Sequence, residues 1–300
     1  MIPGTWGALI SDYIGVHMGV HTDVLFLGTA AAEGYPAIFC RCARCEAARQ
    51  LGGPNLRRRS AALIDGVLLL DCGPDLLAAA HAYGLQLDRV RYLLLTHAHD
   101  DHLYLPNLVY RAPGFAGSEL DHLEIYGTAP SLQRLGLSDE RLNRLNASVH
   151  PIATFETFQA GPYTVTALRA RHDMSLEPVI YVIQKDATAL LYGTDTGPFW
   201  PETWDALDAL GRAGVQLGAV VLEATRGMLP SLEQPTGHMN IAECLAHYAE
   251  LRQRGLVRPG APALAHHFSH NGVPLHEELA QLLAPGGMQP AYDGLRLTIS

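Results

Sequence analysis

Four side chains able to bind metal ions lie within six residues of one another, just after an apolar run at 92–95. They are His97, His99, Asp101 and His102. Two histidines spaced two apart on an extended chain project to the same side, and a following helical turn brings later side chains back towards them. Imidazole and carboxylate together are typical ligands of hydrolytic divalent-metal sites. The spacing predicts that this one short loop serves two adjacent metal ions.

Further polar residues follow other apolar, strand-like runs along the chain. Together with His97 they are Asp71, His172, Asp195, Glu223 and His267. Sites of α/β proteins form beyond the carboxyl ends of the strands. We therefore expect these side chains to meet at one edge of a sheet.

Strand-like apolar runs alternate with helical stretches throughout the chain, which predicts an α/β fold. The predicted strands are 24–27, 61–64, 67–70, 92–95, 123–126, 163–168, 179–183, 189–192, 219–222 and 263–265. The predicted helices are 45–51, 74–82, 138–145, 201–210, 241–254 and 274–283, with first-turn prolines at 74, 201 and 274 and an N-cap at Asn240. Residues 130–158 are interpreted as a connection between two halves, 1–21 as an N-terminal extension, and 22–300 as a single domain.

The net charge of −9 argues against a protein that coats nucleic acid. The one basic cluster, Arg57–Arg59, is short and is interpreted as a solvated loop. No run approaches the roughly 20 apolar residues of a membrane span. The first residues lack a basic signal-peptide region, and the five cysteines are an odd number. These features favour a cytoplasmic protein in a reducing compartment.

The order of these motifs resembles that of the metallo-β-lactamase superfamily, over about residues 22–300. The resemblance rests on Asp71-Cys72-Gly73, the 97–102 cluster, His172, Asp195 and His267. It implies an αββα sandwich of two mixed sheets flanked by helices.

The resemblance also implies the roles of the ligands. One metal is expected on His97, His99 and His172, and a second on Asp101, His102 and His267, with Asp195 as the bridge. A carboxylate has two oxygens and can span two ions, whereas an imidazole cannot. Asp71 is expected to accept a ligand histidine N–H. His266 and His267 compete for one role, and the spacing to His270 favours His267.

Three cysteines lie within six residues, at Cys40, Cys42 and Cys45. Three thiolates need one more ligand for a closed tetrahedral zinc site. With the preceding Gly28-Thr29-Ala30 and Gly34-Tyr35-Pro36, this arrangement resembles the PhnP-like phosphodiesterases, which open a phosphoribosyl cyclic phosphate. That family implies His270 as the fourth ligand of a structural zinc.

The expected activity is hydrolysis of a small cyclic or nucleotide-like phosphodiester by a metal-bridged hydroxide, with Asp101, Asp195 and His238 as catalytic residues. Two active-site ions, zinc or manganese, would suit this anionic substrate. By resemblance to other phosphodiesterases, His238 would protonate the leaving group, and Glu223 would hold it in position.

Three alternatives stay open at this point. They are a tRNA 3′-processing-like nuclease, a lactone or thioester hydrolase, and a non-catalytic carrier similar to the PQQ-biosynthesis B proteins. The negative charge counts against the nuclease, and the intact ligand set counts against the carrier. Whether the protein forms a homodimer also stays open.

Overall fold

The computed structural model describes residues 21–234 and 236–300. Within them the strands are β1 Thr22–Gly28, β2 Ala61–Ile64, β3 Leu68–Leu70, β4 Tyr92–Leu94, β5 Leu123–Gly127, β6 Ala147–Pro151, β7 Thr157–Ala160, β8 Tyr163–Arg169, β9 Val179–Lys185, β10 Thr188–Gly193, β11 Ala219–Glu223, β12 Ala263–His266, β13 Gln289–Pro290 and β14 Arg296–Ile299. The α-helices are α1 Ala43–Leu51, α2 Leu76–Tyr83, α3 Leu105–Val109, α4 Ala129–Leu135, α5 Asp139–Leu145, α6 Pro201–Arg212, α7 Ile241–Gln253 and α8 His276–Leu283.

The strands form two mixed sheets of seven strands each. The first has the order β14-β1-β2-β3-β4-β5-β6, and β3 to β6 are parallel. The second has the order β13-β12-β11-β10-β9-β8-β7, and β10 to β13 are parallel. Parallel neighbours end at the same edge of a sheet, so each sheet offers one edge where several loops meet.

Alternating side chains of the strands build three apolar layers. Between the sheets, Phe26 of β1 and Tyr181 of β9 belong to the same buried cluster. The other face of the first sheet packs on α2 to α5, and the other face of the second packs on α1, α6, α7 and α8. Helices therefore cover both outer faces, and the predicted αββα sandwich is confirmed.

All ten predicted strands are present, with every end within two residues of its predicted position. The predicted N-cap is also confirmed, because Asn240 and Glu243 form a reciprocal capping box. Pro201 occupies the first turn of α6. The same prediction is wrong for Pro74 and Pro274, which precede the first helical residue.

Residues 130–158 are more than a connection. They contain most of α4, all of α5, all of β6 and the start of β7. The strand β6 is an edge of the first sheet, and β7 is an edge of the second. The chain therefore passes from the first sheet to the second through ordered structure. Of these elements only α5 was predicted, as the helix 138–145; β13, β14 and α3 were not predicted either.

The interpretation of Arg57–Arg59 as a solvated loop is wrong. Arg57 is buried, its Nη1 donates to Thr29 Oγ1 at 2.9 Å, and its guanidinium lies 4.5 Å from the ring centre of Phe268. Arg59 pairs with Asp75 at 3.0 Å. Arg57 is therefore held in the interior by partners that are remote in sequence.

The expected N-terminal extension at residues 1–21 lies outside the described residues, apart from His21. The division into an extension and one domain stays a prediction. In the part of the chain that the structure describes, no helix is long and apolar enough to cross a membrane.

Candidate active site

The loop at residues 97–102 leaves the carboxyl end of β4 and turns at once. The carbonyl of His99 accepts the amide N–H groups of His102 at 3.0 Å and Leu103 at 2.8 Å. A Cβ atom at Gly73 would overlap the carbonyl oxygen of Asp101, so only glycine lets the two loops approach this closely. The tight turn holds both halves of the predicted ligand cluster against the first sheet.

The three histidines predicted for the first metal lie together. His97 Nε2 is 2.9 Å from His99 Nδ1, and His172 Nε2 is 3.1 Å from the same nitrogen. One ligand atom from each lies within 4.8 Å of the others. His172 lies in the loop after β8 of the second sheet, whereas His97 and His99 follow β4 of the first. This group therefore brings together side chains from both sheets.

The second predicted group, Asp101, His102, Asp195 and His267, also lies within 4.8 Å and is entirely buried. Asp195 Oδ2 is 2.7 Å from His102 Nε2, and Asp195 Oδ1 is 3.2 Å from His267 Nε2. Asp195 Oδ2 is also 3.4 Å from His97 Nε2 in the first group. Asp195 therefore stands between the two groups, the place that a bridging carboxylate requires.

The donor atoms of this cluster fit metal ions. Among the described residues, His102 Nε2, Asp195 Oδ1 and His267 Nε2 are buried without a hydrogen bond, although buried polar atoms normally have one. Burial alone would lower the pKa of His102, yet the carboxylates of Asp101 and Asp71 outweigh it and hold that pKa well above its usual range. The cluster therefore attracts positive charge. Its two His/Asp groups have the composition and spacing of a binuclear metal site.

Outer hydrogen bonds orient two of the histidines. His102 Nδ1 lies 2.7 Å from Asp71 Oδ2, as predicted for Asp71, and His267 Nδ1 lies 2.8 Å from Thr225 Oγ1. Fixing Nδ1 in this way leaves Nε2 to face the cluster. The sequence patterns did not predict a role for Thr225. Its position two residues after the end of β11 could have indicated one.

The structure also gives His267 and its neighbour His266 different surroundings. His266 ends β12, and its Nε2 lies 3.1 Å from the carbonyl oxygen of Gly28, away from the cluster. His267 adopts φ 58°, and Asp71 and Asp195 have φ 62° and 48°. Such left-handed backbone is sparsely populated by residues other than glycine and concentrates at functional sites.

His238 lies beside the cluster. Its Nδ1 is 3.1 Å from Glu223 Oε1 and 3.4 Å from Asp195 Oδ1. Burial lowers the pKa of His238, but the Glu223 carboxylate has the opposite effect and, with Asp195, raises it to about 9. The Glu223 carboxylate therefore favours the protonated form of His238 and fixes the orientation of its ring.

A cavity of about 440 Å³ opens over these residues. Its lining includes His99, Asp101, His172, Asp195, His238 and His267. Cavities of this size take small ligands rather than macromolecules. Both predicted ligand groups and His238 can therefore reach one bound small molecule.

The predicted cysteine site also forms. Ligand atoms of Cys40, Cys42, Cys45 and His270 lie within 4.8 Å of one another. His270 Nδ1 is 3.6 Å from Cys40 Sγ and 3.7 Å from Cys42 Sγ. Three thiols and one imidazole are a donor set that fits a further metal, and thiolates favour zinc. Cys72 and Cys244 are buried elsewhere, as predicted.

Replacing Cys42 by serine is expected to remove one zinc per chain and to lower the melting temperature. The variant loses one of four ligands at a site that ties the N-terminal part of the chain to the loop carrying His267. Elemental analysis of the purified protein measures the first effect, and thermal unfolding measures the second. Cys244→Ala, which changes a cysteine outside the site, is the control for metal content. Full zinc content in Cys42→Ser would contradict the assignment.

Comparisons with known proteins agree with this geometry. A family model described as a beta-lactamase superfamily domain matches residues 67–258. A diphosphatase from the PhnP family has a similar structure, with a TM-score of 0.69 and 24% sequence identity over 93% of this chain and 97% of that chain. No curated protein sequence matches the chain at a significant level.

Two further solved structures share the fold. Zn²⁺-bound PqqB from Methylobacterium extorquens has a TM-score of 0.69 at 20% identity, over 92% of this chain and 99% of that one. The short form of human tRNase Z has a TM-score of 0.61 at 19% identity, over 93% and 99%. Identities this low show a common fold and no more. With the family match across most of the chain and the His/Asp clusters in place, the chain belongs to the metallo-β-lactamase superfamily.

Proposed function

We propose that this protein is a metal-dependent phosphodiesterase that hydrolyses a small cyclic or nucleotide-like ester. The observation that carries the proposal is the position of His238, held by Glu223 at 3.1 Å and placed 3.4 Å from Asp195 at the cavity. Hydrolysis of an alkyl phosphodiester expels a basic alkoxide, which needs a proton donor. A charged imidazole beside the cluster is suited to that task.

The residues would hold two divalent ions in the predicted division. His97, His99 and His172 would bind one ion, Asp101, His102 and His267 the other, and Asp195 both. When bound, such ions lower the pKa of water and stabilise the negative charge that develops on a phosphoryl group. The protein itself contributes the arrangement of the ligands, which Asp71 and Thr225 fix through the far nitrogens of His102 and His267.

His238 would donate a proton from its Nε2 atom. Its Nδ1–H is directed to Glu223, so the Nε2–H of the charged ring remains for the leaving oxygen. The buried Glu223 also accepts the backbone N–H groups of Thr225 and Met239, at 2.8 Å and 3.1 Å. These bonds keep the carboxylate fixed, and it in turn keeps His238 charged and oriented.

The size and charge of the site support a small anionic substrate. The cavity of about 440 Å³ has the size of a small-ligand site, and the net charge of −9 disfavours a nucleic acid. One similar structure is named a diphosphatase, which agrees with a phosphate ester or anhydride as substrate.

A panel of substrates tests the proposal. The wild-type protein, loaded with zinc or manganese, is assayed with a 2′,3′-cyclic nucleotide, bis(p-nitrophenyl) phosphate, a lactone and a thioester. We expect the phosphodiesters to be hydrolysed with the highest kcat/KM. Faster turnover of the lactone or the thioester would overturn the proposal, as would turnover of none of the four.

His238→Ala should slow hydrolysis of the cyclic nucleotide by about 10²–10⁴-fold, because general acid catalysis accelerates the reaction by this factor when the leaving oxygen is basic. The aryl ester should be affected much less, since its phenolate is already stable. Initial rates on both substrates give the comparison, and His81→Ala on the exposed face of α2 is the control. Equal slowing of both substrates would assign His238 to phosphate binding instead of protonation.

A further inference from the structure

We propose that the substrate carries an apolar alkyl or aryl group next to its phosphodiester, and that Leu229 binds this group. The inference rests on the proposed phosphodiesterase function and specifies its substrate class. Leu229 lines the same cavity as Asp195 and His238. Ala31 and Ala32 line it as well, and we call these two residues and Leu229 the apolar wall of the cavity.

The fold leaves Leu229 in contact with solvent. Its exposed fraction is 41%, and Met228 and Leu232, in the same loop after β11, are 54% and 50% exposed. A single exposed leucine is common at a protein surface, but several large apolar side chains in one segment beside a cavity are typical of a ligand-binding groove. This loop therefore exposes apolar surface at the cavity that contains the predicted metal ligands.

The backbone around Leu229 is held on two sides. Met228 N–H donates to the carbonyl of Gly272 at 2.9 Å, and Asn240 Nδ2 donates to the carbonyl of Leu229 at 2.9 Å. A Cβ atom at Gly272 would lie 3.0 Å from Leu229 Cγ, so the leucine packs closely over this glycine. Because the contact surface is already fixed, little conformational freedom would be lost when a ligand covers it.

The polar side chains that line the cavity near the apolar wall have partners within the protein. The Ser269 hydroxyl donates to Glu33 Oε1 at 2.5 Å and accepts the backbone N–H of Asn271 at 3.2 Å. Arg226 Nη2 donates to the carbonyl of Pro230 at 2.8 Å, which also holds the loop that carries the leucine. A ligand on this side of the cavity would therefore gain mainly apolar contact, and an apolar group fits it best.

One substrate can contact both the apolar wall and the His/Asp cluster. Leu229 and His238 belong to the same loop between β11 and α7, and Arg226 N–H donates to the carbonyl of Met239 at 2.9 Å across that loop. With the phosphoryl group at the cluster, a group attached through an ester oxygen would extend along the wall. The apolar group does not itself react, so its contact should appear mainly in binding affinity and in KM.

A series of alkyl phosphates tests this inference. The metal-loaded protein is titrated with methyl, butyl and hexyl phosphate in a calorimeter, so that the phosphate stays constant while the chain lengthens. We expect each added methylene to tighten binding by about two- to fourfold until the wall is covered, because burial of a methylene is worth about this factor. Leu229→Ser should remove most of this dependence, and Leu229→Met, which keeps an apolar side chain of similar volume, should retain it.

Leu51→Ser is the matched control, because Leu51 is 64% exposed at the end of α1 and lies outside the residues that line the cavity. It should keep the wild-type dependence on chain length. An equal dependence in the wild type and in Leu229→Ser, or none in the wild type, would overturn the inference. If Leu229→Ser left the dependence unchanged and dissociated a dimer in sedimentation, the exposed loop would be an interface between copies and the inference would be wrong.

Turnover of p-nitrophenyl methyl phosphate and p-nitrophenyl hexyl phosphate relates the result to catalysis. We expect the hexyl ester to have the lower KM in the wild type. Hydrolysis of neither ester would count against the proposed function, and the binding series would still decide the role of the apolar wall.

Discussion

Replacing Asp195 by alanine is expected to lower kcat/KM by about 10³-fold or more. Stabilisation of charge by metal ions is worth several kcal/mol, and each 1.36 kcal/mol is a factor of ten in rate. Asp195 is buried and contacts His97 in one ligand group and His102 and His267 in the other. Its loss would disturb both metal positions and leave His238 without one of its two carboxylate neighbours.

The matched control is His99→Ala. His99 belongs to one group only, and its side chain is 36% exposed, against 3% for Asp195. We expect this variant to lose less activity, because one terminal ligand can be replaced by water. Rates are measured after saturation with the same metal, and metal content is measured on the same samples. Comparable turnover of the two variants at full metal content would refute a bridging role for Asp195.

Much of the fold could be predicted because its central strands are continuous apolar runs. Leu68–Leu70 and Ala219–Glu223 are buried at every position, and such runs are visible in the sequence. The strands that were missed are at or near the edges. Thr157–Ala160 is largely exposed. Arg296–Ile299 pairs with β1, which lies almost the whole length of the sequence away. Their pairing depends on partners that sequence patterns do not show.

More of the candidate site than of the outer elements could be predicted, since most of its residues come directly after a recognisable strand. His97, Asp195 and His267 all leave strands at the site edge, and their identities already indicate metal chemistry. Thr225 escaped because hydroxyl groups are common on loops. Its role appears only from its contact with His267 at 2.8 Å.

Arg57 shows why the basic cluster was misread. A run of three arginines is usually solvated, and local sequence gives no sign of the partners that bury this one. Thr29, Phe268 and His276 surround its guanidinium, from positions far along the chain in both directions. Burial of the cation depends on the closed sandwich as a whole.

Titration of the stripped protein with metal tests the central claim most directly. A chelator that removes the ions of the His/Asp cluster should reduce hydrolysis of the phosphodiester substrates to the background rate, because bound divalent ions lower the pKa of water enough to form the nucleophile at neutral pH. Adding zinc or manganese back, with the bound metal counted on the same samples, should restore activity to a plateau at two ions per chain beyond any metal held by the cysteine site. Full activity in the stripped protein, or a plateau at one ion, would contradict the binuclear assignment.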